Sequence, residues 1–184
     1  MGATGFAPVK ADEAVAIKTF DHFCMGAEIA PAAILASADS EGWSRSAPAL
    51  PILADGFDPT ASRTKTDADG RTFVLTVTGE ASVQTPSQAG CGLKIAPPFH
   101  HMVAEARRHF GLDAAPLDTR ATTFFLVRDH DLWGSASGLD HASFLTAARA
   151  GRFRAVTAFD GDQASTIFGI IDRSPPTVLS APHP

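Results

Sequence analysis

Between Cys91 and Gly111 the spacing of apolar residues changes from every second position to every third or fourth, which predicts a strand followed by a helix. Cys91, Leu93 and Ile95 alternate as a half-buried strand requires. Phe99, Met102, Val103, Ala106 and Phe110 then fall on one helical stripe, opposite His101, Glu105 and Arg108. Pro97 and Pro98 suit a first helical turn, whose amides have no partner within the helix, and Gly111 suits a left-handed stop. Arg107, Arg108 and His109 stand where the helix dipole favours positive charge.

The same reading extends along the chain. Asp12 to Met25 is helical by pattern, with Ala16, Phe20, Phe23 and Cys24 on one stripe and Ile17 beside it. Pro31 opens a second short helix through Ser37, with Ile34, Leu35 and Ala38 apolar. Ser44 to Gly70 has no sustained period and reads as a long connection, or as one hiding a short edge strand around Ala49 to Ala54. After the turn residues Asp67 to Gly70, Phe73, Leu75 and Val77 alternate with Thr72, Thr76 and Thr78 in a clear strand, and Ala81 to Thr85 can return as its hairpin partner. Thr122 to Arg128 is apolar on both sides and predicts a central strand covered on both faces. A polar turn at Asp129, His130 and Asp131 precedes Leu132 and Trp133, and Gly134 to Gly138 is a run of small residues. Asp140 caps the next helix, Leu139 and Phe144 have the spacing of a hydrophobic staple, Leu145 and Ala148 continue its buried side, and Gly151 ends it. Phe153 to Phe159 and Ser165 to Ile171 form a hairpin about Asp160, Gly161 and Asp162.

Together these elements predict one α+β domain over residues 11–173, after a flexible segment 1–10 and before a proline-rich, disordered tail 174–184. The expected sheet is antiparallel or mixed, with about five to seven strands and three to four helices packed mainly on one face.

Composition narrows the function. A chain of 184 residues with 45% hydrophobic and 19% charged residues builds one full core. Its 13 Phe and no Tyr supply aromatic volume without phenolic hydroxyls to satisfy. A net charge of −5 argues against a broad grip on nucleic acid, and the apolar runs are too short for a transmembrane segment. The first residues carry no basic leader, so either the protein is cytosolic or a signal peptide has been removed.

Few residues point to chemistry. Cys24 and Cys91 lie on apolar faces; either they pair, for a gain of roughly 4 kcal/mol from closing so long a loop, or they are two buried free thiols. Asp129, His130 and Asp131 supply an imidazole flanked by carboxylates, half of a hydrolase's machinery, but Gly134 to Gly138 carries Ala136 where a nucleophile elbow needs serine. Arg149, Arg152 and Arg154, with Trp133, form the candidate binding set, able to receive a carboxylate or phosphate. His101 and Glu105 have a metal-ligand spacing without a third ligand, and Asp67, Asp69 and Gly70 make a hairpin turn rather than a calcium loop, so no metal and no cofactor are expected.

Phe20 to Cys24 at a helix end, Gly42 and Trp43 after a second helix, the Cys91-x-Leu93-x-Ile95 strand, a helix closed by Gly111 and Leu112, and Trp133 downstream resemble small exported two-cysteine proteins of proteobacteria, whose function is uncharacterised. The resemblance implies a cell-envelope location and a Cys24 to Cys91 bridge, and brings no catalytic residues. The function expected is that of a non-enzymatic periplasmic or secreted protein. It would bind an unknown protein or small molecule through the Ser44 to Gly70 loop and the Asp129 to Gly138 turn. The alternatives are a small hydrolase using His130 with Asp129 or Asp131, and a cytosolic domain with two free thiols.

Overall fold

The computed structural model describes residues 12–26, 29–79, 89–112 and 121–171. The proposed partner strand at Ala81 to Thr85, the N-terminal segment and the proline-rich tail lie outside the described residues. In chain order the elements are α1 (Glu13–Cys24), α2 (Pro31–Ser40), α3 (Pro51–Ala54), β1 (Ser62–Thr66), β2 (Thr72–Thr78), β3 (Ala89–Ala96), α4 (Met102–His109), β4 (Ala121–Asp129), β5 (Leu132–Ser135), α5 (His141–Arg149), β6 (Phe153–Phe159) and β7 (Ser165–Ile171). The strands form one antiparallel sheet in the order β1-β2-β3-β7-β6-β4-β5.

Strand alternation divides the sheet into two unlike faces. Leu75, Val77, Cys91, Leu93, Ile95, Ile167, Val156, Ala158 and Leu126 share one face by register and are buried beneath α1, α2 and α4. Every apolar residue expected on the α1, α2 and α4 stripes is buried there. The opposite face carries hydroxyl pairs, Ser62 with Thr76, Thr66 with Thr72 and Thr123 with Thr157. There α3 covers a small cluster of Leu53, Val74, Ala96 and Ala164, and α5 sets Phe144 edge-on to Phe153. β3 is buried on both faces rather than half-buried, because Phe168 lies across Gly90 and Gly92; a Cβ at Gly90 would meet that ring at 2.6 Å.

Four further expectations change. The Ser44 to Gly70 connection holds a single helical turn at Pro51–Ala54, with no strand there, and the edge strand comes later at β1. Pro97 and Pro98 precede α4 instead of opening it; the Ala96-Pro97 bond is cis, and Asp160 supplies the cap by accepting from Met102 N (2.7 Å) and Val103 N (3.3 Å). β4 is covered on one face only: Phe124 and Leu126 are buried, whereas Phe125 is 57% exposed. On α5 the buried residue is Ala147, with Leu145 and Ala148 half-buried, because the helix meets the sheet's sparsely covered face.

Polar locks fix helices to sheet. Asp39, near the end of α2, receives Arg63 Nε at 2.5 Å and Arg45 Nη2 at 2.6 Å; Arg63 is buried on β1 and also donates to Pro59 O and Ser62 O. The Arg63 and then the Arg45 hydrogen bonds hold the Asp39 carboxyl well below the usual carboxylate range. The unfolded chain therefore takes up this proton first as pH falls. The lock's stabilisation is complete above about pH 4 and is lost below it. Asp39→Asn is expected to lower the melting temperature at pH 7 and to flatten the acid limb of the melting-temperature profile. An unchanged acid limb would show that Asp39 does not hold α2 to β1.

Candidate functional site

The Asp129 to Gly138 turn holds the hydrolase candidates, and the structure separates their residues. Asp129 and Leu132 are the last pair of the β4–β5 ladder, so His130 and Asp131 form a two-residue hairpin tip, with His130 at φ 53°. His130 Nδ1 lies 2.9 Å from Asp129 Oδ1, but the two side chains are 91% and 86% exposed. Asp131 is 95% exposed and accepts from Arg128 at 3.0 Å. Ser135 and Ser137 lie at the other end of β5 and bond to each other at 2.8 Å. A base on a solvated tip has no enclosure to hold a substrate, so the geometry does not assemble the hydrolase set.

The arginine set is also divided. Arg149 and Arg152 are exposed, whereas Arg154 on β6 is 0% exposed and points into the core. Its guanidinium donates through Nη1 to Cys24 O and through Nη2 to Gly26 O (2.6 Å), and sits 4.7 Å from the centre of the Trp133 ring. Trp133 Nε1 donates to Met25 O at 2.6 Å. Burial, and next the positive charge of Arg128, push the Arg154 guanidinium down to about 10, which leaves it cationic at neutral pH. A cation placed on the last carbonyls of α1 complements the helix dipole. Arg154 and Trp133 therefore hold the end of α1 and offer no anion seat.

The cysteines meet at the same place. Cys24 Sγ and Cys91 Sγ are bonded, joining the last residue of α1 to β3, with both residues buried, and no cysteine is free. The two-free-thiol reading is thereby excluded. Three elements of the sheet grip residues 24–26: β3 by a covalent bond, β6 by Arg154 and β5 by Trp133.

Several other histidines and carboxylates are held in surface pairs. His109 pairs with Asp21 at 2.8 Å, His22 with Glu41 at 2.7 Å, and Glu105 with Arg108. Among the described residues no three His, Cys, Asp or Glu side chains gather as a metal site, and no helix is long and apolar enough to cross a membrane.

A cleft of about 370 Å³ opens where α4, β4 and α5 meet. β4 has nine residues; among the described residues β5 pairs with Leu126 to Asp129, and Ala136 N donates to Phe125 O beyond the end of that ladder. Phe124 lines the cleft from one face of the strand and Phe125 from the other, with Phe144 of α5, Leu112 after α4 and Ser135 around them. Phe125 stacks on Phe153, their ring centres 6.0 Å apart. Arg107, buried on α4, contributes the cleft's guanidinium. A second cleft of about 380 Å³ lies beside α3 and β7, where Lys94 Nζ already donates to Ile52 O at 2.5 Å.

Sequence reasoning found Ser135 to Ser137 as part of a candidate loop but missed the cleft. The available clue was the unequal length of the runs before and after the Asp129 to Asp131 turn, so that among the described residues the β4–β5 ladder reaches only Leu126 to Asp129. Comparison with protein families, with curated proteins and with solved structures finds no match for this chain.

Proposed function

We propose that this chain is a non-enzymatic binding protein of the cell envelope, periplasmic or secreted, whose ligand seat is the cleft between α4, β4 and α5. The observation that carries the reading is the cleft itself: a concave site within the usual size range of ligand pockets, walled by Phe124, Phe125 and Phe144, with hydroxyls and one guanidinium at its margin. The imidazole and carboxylates that catalysis would use stand on the hairpin tip, at the other end of β5 from Ser135. The location rests on the buried Cys24 to Cys91 bond, which persists in oxidising compartments and is rare in the cytosol, and on the resemblance to exported two-cysteine proteins. The Asp129 to Gly138 turn contributes to the seat through Ser135 to Ser137; the Ser44 to Gly70 segment lies elsewhere.

The seat is tested by titrating isotope-labelled protein with apolar probes, indole and octanoate, while following backbone amides. At least one probe is expected to move Thr123, Phe125 and Ala136 together, and Phe144→Ala to weaken the response several-fold by removing a ring from the wall. Shifts confined to surface residues such as Leu132 would overturn the assignment. Fractionation of cells expressing the natural gene tests the location: recovery in the cytosol with reduced thiols would sink it.

A further inference from the structure

We infer that β5 is a self-association edge: its outer margin pairs antiparallel with the same strand of a second copy, about a two-fold axis through Gly134, to make one continuous sheet. β5 ends the sheet order, with β4 as its one neighbour among the described strands, and it lies inside the described run 121–171, clear of the ends of that run. In an antiparallel strand the amide and carbonyl of one residue point to the same side, alternating along the chain. Ala136 N donates to Phe125 O toward β4, so Gly134 and Leu132 also face β4, and the backbone groups of Trp133 and Ser135 face outward. The indole of Trp133 bonds to Met25 O and the hydroxyl of Ser135 to Ser137. Among the described residues nothing takes the outward amides and carbonyls of these two residues.

The two margins of the sheet are treated differently. At the far margin β1 carries Arg63 and Lys65 and is bridged by Ser44, through Ser44 N to Thr64 O (2.7 Å) and Thr64 N to Ser44 O (2.8 Å). Charge and a covering segment are the usual defences of an edge against added strands. Leu132–Ser135 has no charge and no proline, and Leu132, at 78%, is the most exposed large hydrophobic residue among those described. The strand's defence is its shortness, which limits an added ladder to two outward residues. A copy of β5 offers two in return.

Register and charge select a second copy as the occupant. With Trp133 opposite Ser135 of the copy, and Ser135 opposite its Trp133, every outward amide and carbonyl of both strands finds a partner. Leu132 then stands opposite Ala136 of the copy on the sheet's open face, an apolar pair repeated at each end of the ladder. Ala136 lines the cleft, so Leu132 of each copy borders the cleft of the other. On the axis Gly134 meets its own equivalent, where a charged side chain would face like charge. The chain's own packing leaves that position open, since a Cβ at Gly134 would meet nothing within 4 Å. The acidic tips do not meet: Asp131 lies three residues from the axis, which sets the two tips about 20 Å apart, well beyond the screening length of about 8 Å. So short a ladder buries less than the roughly 1,200–2,000 Å² of a stable interface, and a dissociation constant of about 100 µM is expected.

The test uses the whole protein with its disulfide intact. Raising the concentration through that constant is expected to convert monomer to dimer in sedimentation equilibrium and to slow hydrogen exchange at the Trp133 and Ser135 amides. Gly134→Glu and Gly134→Lys each set like charges across the axis and are expected to weaken the dimer several-fold, whereas an equimolar mixture of the two should recover the parent's affinity or exceed it. Both new side chains enter open space, so each variant should keep the parent's amide spectrum away from β5. Leu132→Ser changes an exposed side chain and should weaken the dimer as well, which decides the matter if a glycine variant fails to fold. A protein that stays monomeric at ten times the expected constant overturns the proposal. So does a dimer that both charge variants leave as tight as the parent, or one that protects β1 in place of Trp133 and Ser135. Protection of those two amides only on adding the extended peptide Thr-Val-Thr-Val-Thr would show a foreign strand as the occupant, and would likewise overturn it. The cleft's response to indole and octanoate is measured on its own, so the ligand seat stands or falls separately.

Discussion

Removing the Cys24 to Cys91 bond, by reduction in denaturant or by the double substitution Cys24→Ala and Cys91→Ala, is expected to lower the free energy of unfolding by about 4 kcal/mol. The expectation follows from the sequence separation of 67, since the bond denies the unfolded chain the conformations in which the first helix is far from the third strand. Against a total stability of roughly 5–15 kcal/mol, that loss leaves a much reduced margin. Both sulfurs belong to buried residues, so a reductant added to the folded protein should act slowly, limited by opening of the α1–β3 contact. Urea unfolding with and without reductant gives the difference directly. A midpoint that does not move would mean that the bond does not close this loop in the protein as made, and the case for an oxidising compartment would lose its strongest support.

What the sequence disclosed about the fold follows from which signals are local. The stripes of α1, α2 and α4 were readable because a helix buries residues that recur within a turn, and Phe20, Cys24, Met102 and Ala106 lie on the core as their spacing implies. β1 was not readable: Ser62 to Thr66 contains no apolar residue, and its pairing with β2 is visible only through the turn at Asp67 to Gly70. β4 was apolar on both sides, but apolarity marks readiness to be covered, and in the fold only Phe124 and Leu126 find cover. β6 reverses the usual inference. Phe153 and Phe159 sit on the open face while Arg154 shares the core face with Val156 and Ala158, so hydrophobic alternation alone would have turned the strand over. The candidate site was hidden for a related reason. It is made by the length difference between β4 and β5 and by the approach of α4 and α5, contacts between segments far apart in sequence.

The inward arginine makes the second large prediction. Arg154→Ala is expected to cost about 4 kcal/mol, more than Arg154→Met at about 2 kcal/mol, because both leave Cys24 O and Gly26 O without their donor while only alanine also leaves a cavity. Both substitutions recover something: a buried guanidinium beside Arg128 costs free energy, and its Nε has no partner among the described residues. That recovery separates this site from a surface ion pair and sets the sign of the lysine variant. Arg154→Lys keeps the charge and its burial but offers a single point of donation in place of a planar fork reaching two carbonyls, so it should be no more stable than methionine. Trp133→Phe removes the neighbouring donor to Met25 O while keeping an aromatic ring, and should cost about 1 kcal/mol. Combined with Arg154→Met it should cost more than the sum, since both side chains anchor the three residues that end α1 and begin the chain's departure from it. Denaturant unfolding of the four single variants and this double variant measures the set. If Arg154→Met is as stable as the parent, the guanidinium does not hold the helix end, and the disulfide, Trp133 and core packing must fix α1 against the sheet.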